Sequence, residues 1–157
     1  MSRYASETEV SVDRSEVEIK RTLIRYGADD IVSGQSVRTG QAFVQFVYSS
    51  LPLEARIPLP PLSEFGETPT GRTRGEPAAL REWEKAVRQQ WRVLLLLIKA
   101  KLEAVENGIA PAEQEFLSWI ILPGGETVGQ RMLPQVRAAV EKGHLPKLIA
   151  GPVRGGE

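Results

Sequence analysis

Apolar and polar positions change their spacing several times along the chain, and each change predicts an element. Residues 8–12, TEVSV, alternate, which predicts a short strand. In DRSEVEIKRTLIRYG, Val17, Leu23 and Ile24 form an apolar stripe, Asp13 and Glu16 have capping-box spacing, and Gly27 stands where a helix stops. A helix is expected over 14–26. Three strands follow. DDIVSGQS, 29–36, is short and ends in small polar residues. GQAFVQFVYSS, 40–50, sets Phe43 and Val47 against Ala42, Val44, Phe46 and Tyr48, and both faces are mainly apolar, as in a central strand. LEARIPL, 53–59, sets Leu53, Ala55, Ile57 and Leu59 against Glu54 and Arg56, the pattern of an outer strand with one wet face. The links VRTG and SSLP are short, so neighbouring antiparallel strands are expected.

Residues 60–77, PPLSEFGETPTGRTRGEP, carry turn formers and little apolar content after Phe65, and read as a mobile loop. A long helix is expected from Ala78 to Glu106, ending at Asn107–Gly108. At about 100° per residue, Leu80, Trp83, Val87, Trp91, Leu94, Ile98, Leu102 and Val105 share one face. Arg81, Lys85, Arg88, Arg92 and Lys99 form a stripe placed roughly opposite. Val93, Leu96 and Leu97 point away from the main apolar face, so this turn is apolar nearly all round and calls for a second buried contact. The C-terminal segment or another subunit is expected to supply it.

PAEQEFLSWIIL begins with Pro111 at a first helical turn, PGGE is a turn, and TVGQRMLPQVRAAVEKG is a helix closed by Gly143, with Pro134 kinking or starting it. LPKLIAGPVRGGE reads as an extended tail. The fold class expected is α+β: strand, helix, three antiparallel strands and a long helix, with a small C-terminal helical extension. Residues 1–7 are assigned to a flexible tail, 8–107 to the core with its loop 60–77, and 108–157 to an accessory segment.

Composition changes this picture little. The 157 residues are 41% hydrophobic and 25% charged, as in a globular domain. There is no cysteine, which removes disulfides and thiolate chemistry and fits a reducing compartment. MSRYASETEV holds no apolar run, so no signal peptide is expected, and the run Val93–Ile98 is far short of the ~20 residues that cross a bilayer. The expected location is cytoplasmic, away from membranes.

Charge changes it more. The net charge is zero, yet residues 71–101 hold eight basic side chains against three acidic ones. A cluster on one element is what phosphate contact requires, although a solvated helix face has the same composition.

Catalytic chemistry is thin. GETPTGRT, 66–73, approaches a phosphate-binding loop, but Arg72 replaces the lysine, no strand delivers the loop, and RGEP delays the helix. His144 is the single histidine, which rules out the usual zinc sites and reads as a surface residue. The pair Asp29 and Asp30 fits a cap or turn better than a metal site. No catalytic residue, metal or cofactor is expected, and the protein is not expected to be an enzyme. Binding remains: Arg56 on the wet strand face, Arg72 and Arg74 in the loop, and the helix stripe suit phosphates. Aromatic candidates for base stacking are few, namely Tyr48, Phe65 and Trp83, so tracking of the backbone fits better than base readout.

The element order resembles the core of the single-strand annealing superfamily, which includes phage recombination proteins and the eukaryotic annealing mediator Rad-fifty-two. The segments most similar to a phage branch are SVDRSEVEIKRTLIRYGAD, RQQWRVLLLLIKAKLEAVENGI and EFLSWIILPGGETVG, about a third of the chain. The resemblance implies an ATP-independent protein of homologous recombination. It would form rings or filaments on single-stranded DNA and anneal complementary strands. Arg88, Arg92, Lys99 and Lys101 match the basic residues of its long-helix motif, while Arg56, Arg72 and Arg74 come from charge placement alone. The neutral charge and short C-terminal segment depart from the family pattern. The alternative is a non-enzymatic phage structural or regulatory protein that assembles through the central apolar helix.

Overall fold

Neither proline nor glycine interrupts the chain before Gly27, and the backbone there is one helix, α1, over Arg3–Arg25. The computed structural model describes residues 3–36 and 38–143, with side chains from Arg14 onward; His144 and the tail expected after it lie outside the described residues. The strand expected at TEVSV is therefore helix, as is the backbone of residues 3–7 assigned to a tail. Two alternating valines are outweighed by a long stretch without a breaker. Asp13 and Glu16 accordingly lie inside α1 and do not start it. Its buried face is Ile19, Thr22 and Leu23, leaving Val17 and Ile24 exposed, which shifts the expected stripe by part of a turn.

Strands β1 (Asp29–Ser36), β2 (Gln41–Tyr48) and β3 (Leu51–Pro58) form an antiparallel sheet in the order β1-β2-β3. β1 and β2 pair from Ser36 with Gln41 to Val32 with Gln45, and a bulge then shifts the register before Asp29, with Asp30 at φ 50°. β2 and β3 pair without interruption from Gln41 with Pro58 to Tyr48 with Leu51. Ser49 and Ser50 close that hairpin with φ of 48° and 63°, the positive angles that a two-residue turn of matching twist demands.

Helix α2 spans Glu76–Glu106, with Pro77 in its first turn. Val87, Trp91, Leu94, Leu95, Ile98 and Leu102 are buried against Ala42, Val44, Phe46, Leu53, Ala55 and Ile57, so α2 lies on one face of the sheet. Trp91 is fully buried, and its indole N–H donates to Gln35 Oε1 at 3.2 Å. α1 packs beside α2 and adds Ile19 and Leu23 to the same core.

The other sheet face is set by the registers. Val32, Gln45 and Glu54 form one cross-strand row; Gly34, Phe43 and Arg56 form the next. Glu54 is not the wet residue its alternation suggests. It is buried, accepting from Gln45 Nε2 at 2.5 Å and from Arg56 Nε.

The segment from Gly108 is less separate than expected. A short helix α3, Ala112–Glu115, and a 3-10 turn, Leu117–Trp119, bring Phe116 fully into the core, edge-on to Phe46 at 6.2 Å and to Tyr48 at 5.7 Å. Ile121 N donates to Pro52 O at 2.8 Å, which ties this unit to the free edge of β3. Helix α4, Val128–Lys142, starts on a capping box between Thr127 and Gln130 and stops at Gly143 with φ 67°. Pro134 lies inside it and does not start it. The described chain is an α+β fold.

Candidate nucleic-acid interface

Arg81, Lys85, Arg88, Arg92 and Lys99 recur every three, four or seven residues, so they line one edge of α2 over roughly 27 Å. That edge is not opposite the core. The buried face centres on Trp91, and the cations stand about a quarter-turn round from it, on the side where α1 packs. Leu95, unlike the expected pattern, is buried in the core face and moves its centre toward the cations.

The row is partly neutralised. Lys99 Nζ lies 2.9 Å from Glu18 Oε1, and Lys85 Nζ 3.2 Å from Glu82 Oε1. The hydrogen bond from Lys99, then its charge, holds the Glu18 carboxyl below the usual glutamate range, with smaller help from Arg92 and Arg25. Arg81 is also engaged. Arg88, half-buried, and Arg92, exposed, make no hydrogen bond or ion pair to a described residue. They are the cations best placed to accept phosphate.

The remaining candidates do not join the row. Lys101 is turned to the other side of α2, where Nζ donates to Glu115 O at 3.0 Å and lies 5.2 Å from the Trp119 ring centre and 5.6 Å from that of Phe116. It is a clasp between α2 and the C-terminal unit. Arg56 is bound to Glu54 on the sheet face away from α2. Arg74 Nη1 donates to the carbonyls of Glu67 at 2.9 Å and Phe65 at 3.3 Å, bracing its own loop. Arg72 is exposed in that loop.

The loop holds local structure of its own. A 3-10 turn covers Leu62–Phe65, Glu67 bridges Thr73, and Thr68 N donates to Arg72 O at 2.8 Å. Arg72 N and Gly71 N both donate back to Thr68, and Gly71 takes φ 82°. These amides are occupied by the loop's own turn and do not converge on a ligand, which separates GETPTGRT from a phosphate-binding loop.

Two clefts adjoin the N-terminal end of the row. One, of about 660 Å³, lies between Arg38, Thr39, Leu59, Pro60 and Trp83; the other, of about 810 Å³, lies between Ser63, Pro77, Ala79 and Arg81, and Leu62 and Leu80 line both. Trp83 is half-buried, its indole N–H donating to Pro60 O at 2.7 Å. Tyr48 is buried in the core and unavailable for stacking. Phe65 is half-buried beside the loop.

Two features of these surfaces escaped the sequence reading. Phe43 is half-buried on the open sheet face, and its ring covers Gly34, where an added Cβ would meet Cε1 at 2.7 Å. Its alternation with Ala42 and Val44 carried the signal, but the partner strand's register was needed to see it. Arg38 borders the first cleft, and a lone arginine in a turn carries no signal by itself.

Among the described residues no cluster of acids or histidine could hold a metal ion, and no helix is long and apolar enough to cross a membrane. No protein-family model, curated protein or solved structure matches the chain.

Proposed function

We propose that this protein binds the sugar-phosphate backbone of single-stranded DNA along the α2 row and anneals complementary strands without nucleotide triphosphate. The observation that carries the binding is Arg88 and Arg92, adjacent on one rigid helix and making no hydrogen bond or salt bridge to a described residue. Guanidinium groups so placed give paired contacts to successive phosphates. Annealing, recombination and a phage setting rest on the resemblance of the α1 and α2 segments to the annealing superfamily. In this reading the protein makes and breaks no covalent bond, needs no cofactor, works in the cytoplasm, and acts as a ring or filament of several copies that joins their rows.

Fluorescence anisotropy with a labelled oligonucleotide, titrated with salt, tests the binding. Neutralising three to five phosphates gives a slope of log affinity against log salt of roughly −2 to −3.5. No binding at low salt would refute the reading. An annealing assay with complementary oligonucleotides and no nucleotide triphosphate tests the second half.

A second reading is favoured by a different observation: Val93, Leu96 and Leu97 are exposed, and among the described residues the C-terminal unit does not cover them. It makes the chain a non-enzymatic structural or regulatory protein whose work is assembly through α2.

A further inference from the structure

Helix α2 carries a second apolar seam. Val93, Leu96 and Leu97 are 50%, 58% and 43% exposed, whereas the core side of the same turns is closed. With Ala100 they have the spacing i, i+3, i+4 and i+7 of a packing face. The seam continues beyond them at heptad spacing. Gln90, Leu97 and Ala104 form one column and Ala86, Val93 and Ala100 the next, three residues on, as the a and d positions of a coiled coil do. Neither column holds a charge.

We infer that this seam packs against the same seam of a second copy, with the two α2 helices antiparallel about a two-fold axis near residue 95. The flanks decide the direction. On one flank, Gln89, Leu96 and Glu103 are exposed beside the seam, and Glu103, which accepts from Tyr26 Oη and Asn107 Nδ2, is left uncovered by those contacts. On the other, Val87 and Leu94 are buried in the core and Lys101 is clasped to Glu115. A parallel pair sets the first flank of one helix against the second flank of its partner, which is already occupied. An antiparallel pair sets like flank against like flank, so the open flanks meet each other.

The sequence is self-complementary in that register. Ala86 meets the partner's Ala104, Gln90 meets the partner's Ala100, and Val93 meets the partner's Leu97, each pair placing one column on the other. Leu96 meets its own copy across the axis. The Gln89 amide falls beside the partner's Glu103 carboxylate, and Lys85 stands within a turn of the same group. Arg92 and the partner's Lys99 approach on the outer rim, where Glu18 of each copy already offsets them. This inference concerns how copies meet and stands whether or not the cation row binds DNA.

Light scattering on the full chain without DNA, where assembly along a strand does not contribute, tests it, with an expected mass near twice the 17.3 kDa of one copy. Leu97→Lys lies on the exposed seam, so its circular dichroism should match the parent while its mass halves. The natural lack of cysteine allows a direct test of direction. Leu96→Cys should give a disulfide-linked dimer on mild oxidation. Ala86→Cys should link poorly to itself and readily to Ala104→Cys. A monomeric parent, a mass unmoved by Leu97→Lys, or preferential self-linking of Ala86→Cys would each overturn the inference.

Discussion

Lys99 Nζ and Glu18 Oε1 stand 2.9 Å apart, joining the cation edge of α2 to the neighbouring face of α1. The carboxyl pKa is lowered, first by that hydrogen bond, then by the charge of Lys99. A carboxyl depressed in the fold adds stability above its unfolded value, and that stability is lost as pH falls through the folded value. Glu18→Gln should therefore flatten part of the acid limb. Urea midpoints at neutral pH and below pH 4 would measure it; an unchanged acid drop in the variant would contradict the pairing. The effect is small because both groups face water.

The hairpin between β2 and β3 is held by Ser49 and Ser50 in left-handed backbone, where a side chain is strained. Asparagine followed by glycine suits such a turn better than two serines. Ser49→Asn with Ser50→Gly should stabilise by about 1 kcal/mol, raising the melting temperature by roughly 2–4 °C. Thermal unfolding followed by circular dichroism decides it, and a lower melting temperature would mean the turn is of another kind.

Phe43 covers Gly34 so closely that no side chain fits beneath it. Gly34→Val should push the ring outward and cost about 1–3 kcal/mol, as overpacking does. If the ring is the obstacle, adding Phe43→Ala should recover part of that loss, a non-additive result measurable in a double-mutant cycle. Strict additivity would place the strain elsewhere.

The fold was readable where period and punctuation agreed. β1, β2 and β3 fall within a few residues of their expected limits because Gly, Ser and Pro bound each alternating run. α2 was readable from one dominant face and the Asn107–Gly108 stop. TEVSV was misread because alternation over five residues is weak against an unbroken helical stretch. The candidate site was harder. A helical wheel gives direction but not neighbours, so it showed neither the Glu115 that clasps Lys101 nor the Glu18 that pairs with Lys99. The loop 60–77 has the composition of an irregular segment, and neither the Arg74 bond to the Glu67 carbonyl nor the Thr68–Arg72 bonds follow from its period.

Lys101 and the Arg88–Arg92 pair should part company when their charges are removed. Lys101 is largely buried, hydrogen-bonded to Glu115 and set over two aromatic rings, so Lys101→Gln loses a charged hydrogen bond and a cation–π contact. A stability loss of about 1.5–3 kcal/mol is expected, with DNA affinity unchanged well below the melting temperature. Arg88→Gln with Arg92→Gln removes groups that hold nothing described in place. Their loss should leave stability within about 0.5 kcal/mol and make the salt slope of DNA binding shallower by about 1.4, two phosphate contacts at ~0.7 each. Urea unfolding and salt-titrated anisotropy on the same preparations give both quantities. If Lys101→Gln instead weakens DNA binding while the fold holds, the clasp is part of the interface and the row on α2 is incomplete without it.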